Sequence, residues 1–484
     1  MVSCSGVTFR ARADRLATFS SFLTPCHPQF GEGEALCGKY EVFEDRKARA
    51  GRKIGLNIVV LPALSKEHAS DPVFWLHGGP GAPATQTAPA AKGGFLEGLR
   101  KDRDLVFVDQ RGTGGSNGLN CEIGDTPADV DTFFGPLFPP RLIRQCREQL
   151  ERTANLKLYT TPVAMDDLDE VRAALGYEKI NLVAASYGTI AALVYLRQHG
   201  DHVRAVWLAG VANTNIRQPL PFAAAAQYVM NLLFKDCADD DLCSKTFPKL
   251  KEEFEAVLAR FDRSPVTAQL IDPTTQQTKA VKIERGNFVE RIRLMLYTTT
   301  SARFIPFVIH RAFENDYLPF EALAVRYNPG GLLSRGMYLT VTCSESVPFI
   351  AEPDIRKTKK TFVGEYRVRS HIEACKAWPK ADIPATYVKP VKSNVPVLML
   401  SGELDGSTPP WLGEEAMTGL SQGRQVKIRY YGHQLDSPCV WKVLADFIDT
   451  GRADQVDTTC TERIRRPPFA TELPKEFSLE KDRR

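Results

Sequence analysis

The chain has 484 residues, 43% hydrophobic and 25% charged, which supplies a large core and excludes a disordered or fibrous polypeptide. Lys and Arg number 62 against 58 Asp and Glu, a net charge of +4, so the balance offers no electrostatic case for nucleic acid or a charged membrane surface as partner. No apolar run reaches the roughly 18 residues that a membrane-spanning helix needs, so no membrane insertion is expected.

In chain order, residues 1–36 are polar and turn-rich and read as an N-terminal extension. Met1–Pro25 holds no apolar stretch like that of a signal peptide. Short apolar runs then read as buried strands: Leu56–Leu61, Val73–Leu76, Leu105–Val108, Ile180–Ala184 and Val203–Leu208, with Val395–Leu400 and Val426–Tyr430 late in the chain. Stretches of helical period separate several of them. In Pro162–Leu175, Leu168, Val171 and Leu175 recur at three- and four-residue steps and Gly176 stops the helix; Thr189–Gln198 and Val440–Ile448 behave alike. Such alternation predicts an α/β fold, a mostly parallel sheet with helices on both faces. It is interrupted over residues 212–390, where helical segments around Phe222–Phe234, Phe247–Phe261 and Asn287–Tyr297 accompany a hairpin candidate from Val266 to Ile283 turning at Asp272-Pro273. This stretch is expected to be a large, mainly helical cap inserted before the late strands of a core made of residues 37–211 and 391–462. Residues 463–484, charged and carrying Pro467-Pro468, read as a solvated polar tail.

Eleven cysteines lie at 4, 26, 37, 121, 146, 237, 243, 343, 375, 439 and 460. Without C-x2-C pairs or H-E-x-x-H, a metal site is not expected. From Cys26 onward they fall into successive neighbours, leaving Cys4 over. They read as five disulfides whose connectivity the sequence leaves open, against the alternative of scattered buried thiols. Disulfides imply an oxidising compartment, so the protein is expected to be secreted or periplasmic.

Three segments carry chemistry. Ala184-Ala185-Ser186-Tyr187-Gly188 follows a strand and precedes a helix, the context in which a tight turn lifts a nucleophilic serine above a sheet, although Ala184 stands where a first glycine is usual. The loop after Val395–Leu400 offers Asp405, with Glu403 as rival acid. Among eight histidines only His433 follows a late strand and completes the order Ser, Asp, His, which is the order of an α/β-hydrolase. Acyl transfer also needs donors for the developing oxyanion. His77-Gly78-Gly79-Pro80-Gly81 after Val73–Leu76 supplies the N–H of Gly79, and the N–H of Tyr187 is the second donor. The glycine loop lacks the patterns of a nucleotide cradle.

With Asp109-Gln110-Arg111-Gly112-Thr113-Gly114-Gly115-Ser116, Ser186-Tyr187-Gly188-Thr189, Gly402-Glu403-Leu404-Asp405 and Gly432-His433, the sequence from about Cys37 to Cys460 resembles the proline iminopeptidase and tripeptidyl aminopeptidase family of serine α/β-hydrolases. The resemblance implies a capped exopeptidase acting at free peptide N-termini through an acyl-enzyme, with no cofactor; a carboxylesterase or amidase on small hydrophobic substrates is the alternative. The departures are Ala184, Gly406 where proline is common, and Gln434 where glycine often follows the histidine. Asp109 and Arg111 are expected to pair beneath the oxyanion loop and brace it. A peptidase needs an anion for the substrate's ammonium group, and Glu345, beside Cys343, is the candidate.

Overall fold

Nine strands form one twisted sheet around which the rest of the chain is arranged; the structure, a computed structural model, describes residues 22–26, 35–328, 331 and 333–477. The strands are β1 (Leu23–Cys26), β2 (Ala35–Phe43), β3 (Lys53–Leu61), β4 (Val73–Leu76), β5 (Leu105–Val108), β6 (Ile180–Ala185), β7 (Val203–Ala209), β10 (Val397–Gly402) and β11 (Gly423–Ile428), in the spatial order β1-β2-β3-β5-β4-β6-β7-β10-β11; β8 (Val266–Ile271) and β9 (Thr278–Ile283) form a separate hairpin. From β5 to β11 all pairings are parallel, and β1, β2 and β3 add antiparallel strands at one edge.

Every apolar run read as a strand overlaps one, with Val395–Leu400 starting two residues before β10 and Val426–Tyr430 running two residues past β11. The period of two then divides side chains between two cores: in β6, Leu182 and Ala184 face one cluster and Val183 faces the other, with Trp75, Phe107 and Trp207. Helices α1 (Thr161–Ala174) and α2 (Tyr187–His199) cover the first face, and a late helix, Pro438–Thr450, covers the second. Its C-cap, Gly451, takes the left-handed φ of +65° that ends helices.

The extension expected over residues 1–36 contains β1 and the start of β2, clipped by the Cys26–Cys37 disulfide. β1 is the antiparallel edge strand and β2 its neighbour, both half-exposed and mixing polar with apolar residues instead of forming an apolar run. The five disulfides join sequence neighbours: 26–37, 121–146, 237–243, 343–375 and 439–460. Cys4 lies outside the described residues.

Between β7 and β10 the chain divides unequally. Helices α3 (Pro221–Asp239), α4 (Leu250–Arg263), α5 (Arg285–Met295), α6 (Ile305–Phe313) and α7 (Leu318–Arg326) enclose, with the β8–β9 hairpin, a core of their own that includes Phe254, Phe261, Phe288 and Phe320. Helices α8 (Arg335–Glu345) and α9 (Tyr366–Lys376) instead pack into the sheet's first core through Met337, Leu339, Cys343 and Cys375. The polar tail expected from residue 463 is exposed over much of its length but anchored at several residues: Phe469 and Ala470 are buried in the insertion's core, the Ala470 N–H donates to the Arg303 carbonyl, and Arg466 pairs with Asp236 of α3 at 2.7 Å. Its few aromatic residues anchor it despite the surrounding charge.

Candidate active site

Parallel pairing brings the C-terminal ends of β4, β6, β7, β10 and β11 to one edge, where the functional loops converge. Leu76 pairs with Ala184, so the glycine loop after β4 lies beside the turn after β6. At that turn Ser186 has φ +58° and ψ −130°, a conformation a side chain adopts only when its surroundings impose it. The surroundings are close backbone contacts: a Cβ on Gly188 would sit 2.2 Å from the Leu76 carbonyl oxygen, and one on Gly78 would sit 2.8 Å from Ser186 Cβ. Ala184 is fully buried, and its methyl is accommodated in the first core.

His433 lies after β11, its N–H donating to the Tyr297 carbonyl at 2.6 Å. Its Nδ1 is 2.7 Å from Asp405 Oδ2, and Asp405 is fully buried. The other Asp405 oxygen accepts the N–H groups of Ser407 and Thr408, both at 2.8 Å, and the Thr408 hydroxyl donates to Oδ2 at 2.8 Å. Burial raises an aspartate's pKa, but the histidine and these donors outweigh it and hold Asp405 below the usual carboxylate range. Burial likewise opposes a charge on His433, and the attraction of Asp405 overcomes it, leaving the imidazole more basic than usual. Glu403, the rival acid, lies toward Tyr228 and Lys427.

Ser186 and His433 line one cavity of about 470 Å³, together with His77, Gly78, Gly79 and residues of the insertion such as Phe222, Glu290 and Tyr338. Among the described residues no hydrogen bond joins the Ser186 hydroxyl to His433, and such contacts often tighten only around substrate. Tyr187 is the first residue of α2, so its N–H has no partner within the helix. The Gly79 N–H makes no protein hydrogen bond among the described residues. His77, partly buried, is depressed to about 4 by desolvation and is neutral; its Nδ1 accepts the Gly78 N–H at 2.7 Å.

Residues 71–251 match the family model described as alpha/beta hydrolase fold, and residues 360–460 match the one described as TAP-like protein. The tripeptidyl aminopeptidase of Streptomyces coelicolor is 33% identical over 477 residues, covering 90% of this chain and 84% of the relative. That of Streptomyces lividans is 25% identical with the same coverage. The serine protease Hip1 of Mycobacterium tuberculosis is 29% identical over 245 residues, 46% of this chain and 45% of the relative. This chain belongs to the tripeptidyl aminopeptidase family of α/β-hydrolases.

Two expectations about this family member need correction. Glu345 does not line the cavity. It is buried behind Tyr187, its carboxylate accepting the Thr161 N–H at 2.6 Å, the Thr161 hydroxyl at 2.7 Å and the Tyr387 hydroxyl. The Tyr187 hydroxyl shares the Thr161 hydroxyl, so Glu345 supports the serine turn from below. Asp109 and Arg111 are both buried but do not pair. Asp109 accepts the Thr85 N–H and hydroxyl, the Asn57 amide and the Gly115 N–H, whereas Arg111 makes a bidentate pair with Asp167 at 2.6 and 2.8 Å. Asp109 therefore braces the glycine loop through Thr85, and Arg111 ties α1 to the sheet.

Sequence reasoning missed Tyr297, Thr408 and the role of Gln434. Gln434 Oε1 accepts the N–H of Gly432 and of Thr299, and its amide donates to the Thr299 hydroxyl at 2.9 Å, fastening the histidine turn to the insertion. The unexpected residue after the histidine was the available signal. It also missed Arg291, Arg293, Arg335 and Arg367, which line the cavity with Glu290 and Asp125. They come from α5, α8 and α9, and no spacing in sequence brings them together.

Proposed function

We propose that this chain is a serine hydrolase that cleaves amide bonds near the free N-terminus of peptides through an acyl-enzyme, as the names of its Streptomyces relatives suggest. Ser186 Oγ attacks the scissile carbonyl and its proton passes to His433 Nε2, while Asp405 holds Nδ1–H and stabilises the imidazolium. The oxyanion lies between the N–H groups of Gly79 and Tyr187. Collapse expels the amine with the proton from His433; water, deprotonated by the same imidazole, then hydrolyses the ester. The observation that carries this reading is the 2.7 Å bond from His433 to a buried Asp405 beside a serine held at φ +58° on the same cavity. Residues between β7 and β10 act as the cap. The five disulfides support an exported protein, secreted or periplasmic.

One observation favours the carboxylesterase or amidase alternative. Both acids lining the cavity, Glu290 and Asp125, are already paired with arginines, so neither is free for an ammonium group. A panel of tripeptidyl anilides with free and acetylated N-termini, run beside short-chain esters, separates the two. Cleavage of free substrates alone supports the aminopeptidase, and equal cleavage supports the alternative. Ser186→Ala should lower turnover of every substrate on the order of 10³-fold or more and abolish labelling by a fluorophosphonate. Near-normal activity in that variant overturns the assignment.

A further inference from the structure

The cavity above Ser186 carries more positive charge than peptide-bond hydrolysis requires. Arg291, Arg293, Arg335 and Arg367 line it against Glu290 and Asp125, an excess of two positive charges among these six side chains. Each nitrogen of Arg293 is engaged: Nε and Nη2 donate to the two Glu290 oxygens at 2.9 and 2.6 Å, and Nη1 donates to the Tyr297 hydroxyl at 3.0 Å. Arg335 pairs with Asp125. Arg367 leans on the same Glu290 and on the Tyr338 hydroxyl at 2.7 Å, so one carboxylate serves two guanidinium groups. Arg291 has no carboxylate partner among the described residues. One of its nitrogens donates to the Phe133 carbonyl at 2.6 Å, another lies 3.4 Å from Asn328 Oδ1, and its plane rests 3.7 Å above the Phe133 ring. The buried Nε atoms of Arg335 and Arg367 make no hydrogen bond among the described residues.

Guanidinium groups in such a place are costly. Desolvation pulls both Arg291 and Arg335 down to about 10, and a buried donor without an acceptor forfeits its hydration. An anion entering the cavity would offset both costs, and the planar fork of arginine matches the two oxygens of a carboxylate. The group is also close to the chemistry. The Tyr297 ring lies 5.2 Å from the Arg293 guanidinium and 5.5 Å from the His433 ring, so a single aromatic side chain separates them.

Resting on the serine hydrolase reading above, we propose that the preferred substrates carry a carboxylate, which seats on Arg291 and Arg367 while the scissile carbonyl lies at Ser186. In a peptide that carboxylate has two sources: an acidic side chain on the acyl side of the scissile bond, or the terminal carboxylate of a short leaving peptide. The substrate's ammonium group, repelled by the same arginines, stays toward the mouth.

The test compares matched substrates on the wild-type protein. One series is tripeptidyl anilides with Glu or Gln at each position. The other is tetra- and pentapeptides ending in a free acid or an amide. The carboxylate member of one series should show a kcat/KM at least about tenfold higher, carried mainly by KM, and the series concerned identifies the source. In Arg291→Gln the ratio should fall to near one. As a control independent of the variant's folding, glutarate should inhibit wild-type hydrolysis of p-nitrophenyl acetate and glutaramide should not. Ratios near one in both series without inhibition by glutarate overturn the proposal while leaving the hydrolase reading standing. Undiminished preference in a folded Arg291→Gln overturns the placement. Failure of Ser186-dependent hydrolysis with every substrate, p-nitrophenyl acetate included, overturns the hydrolase reading instead.

Discussion

Replacing Glu345 by glutamine tests whether this carboxyl is a structural support or a receptor for substrate. The group is 2% exposed and accepts hydrogen bonds from Thr161 and Tyr387, and burial, only partly offset by those donors, raises its pKa to about 7. An unfolded glutamate titrates near 4.5, so between these values the folded chain holds a proton that the unfolded chain has released. The sign follows: the contribution to stability is greatest below about 4.5 and is lost as pH rises through about 7. Between pH 5 and pH 8 the loss amounts to about 2–3 kcal/mol at 1.36 kcal/mol per unit. Glutamine keeps the shape and one acceptor but cannot ionise. Wild type should therefore lose about 2–3 kcal/mol more than Glu345→Gln over this range, with the variant weaker at pH 5 by the usual cost of an altered buried hydrogen bond, about 1 kcal/mol, and level or ahead at pH 8. Urea unfolding followed by tryptophan fluorescence at the two pH values gives the difference. Taking the variant as reference cancels Glu321, which burial also raises to about 7, and His433. Identical pH slopes would refute the argument from burial. The same variant should lower kcat/KM equally for free and N-acetylated substrates; a loss confined to free amines would restore Glu345 as the ammonium receptor.

Three further outcomes follow from the site. Because Asp405 makes His433 more basic than usual, kcat/KM should fall with decreasing pH through a value above 6.5, and a flat profile between pH 5 and 8 on a non-titrating substrate would exclude His433 as the base. Asp405→Asn should move that limb to lower pH, since burial then acts alone, and reduce kcat on the order of 10⁴-fold through the wrong imidazole tautomer. Cys439 follows the histidine turn and closes a 21-residue separation with Cys460, so Cys439→Ala/Cys460→Ala should cost about 3 kcal/mol in urea unfolding and lower kcat with it. Unchanged stability would show that the bond restrains little.

What the sequence disclosed and what it withheld divide along physical lines. Val73–Leu76 and Leu105–Val108 were read to the residue because strands buried on both faces are short apolar runs with polar or turn residues beside them. Ser186, Asp405 and His433 were legible as loops at strand ends, whose order along the chain parallel topology converts into proximity. The sequence carries no strand signal over Ala35–Phe43, because Gly38, Lys39 and Glu41 give it a mixed pattern. The anchoring of residues 463–477 is hidden in the sequence because Phe469, Leu473 and Phe477, although four residues apart, lie among charges and beside Pro467, Pro468 and Pro474, and only the surface that receives them makes them anchors. Glu345 illustrates the same limit for function: its place beside Cys343 carries no information about which way α8 turns it. Arg111 and Asp109 were recognised as buried braces, but their true partners, Asp167 and Thr85, lie 56 and 24 residues away.

The segment after Cys460 alters how the insertion can move. A domain inserted between two strands is ordinarily tethered at its two connections and free to rock about the line joining them. Here the chain leaves the sheet a third time, runs from the Cys439–Cys460 disulfide across to α3, and sets Phe477 against Phe304 and beneath the Arg326 guanidinium. Rocking therefore requires Arg466 and Phe469 to be pulled from their sites as well.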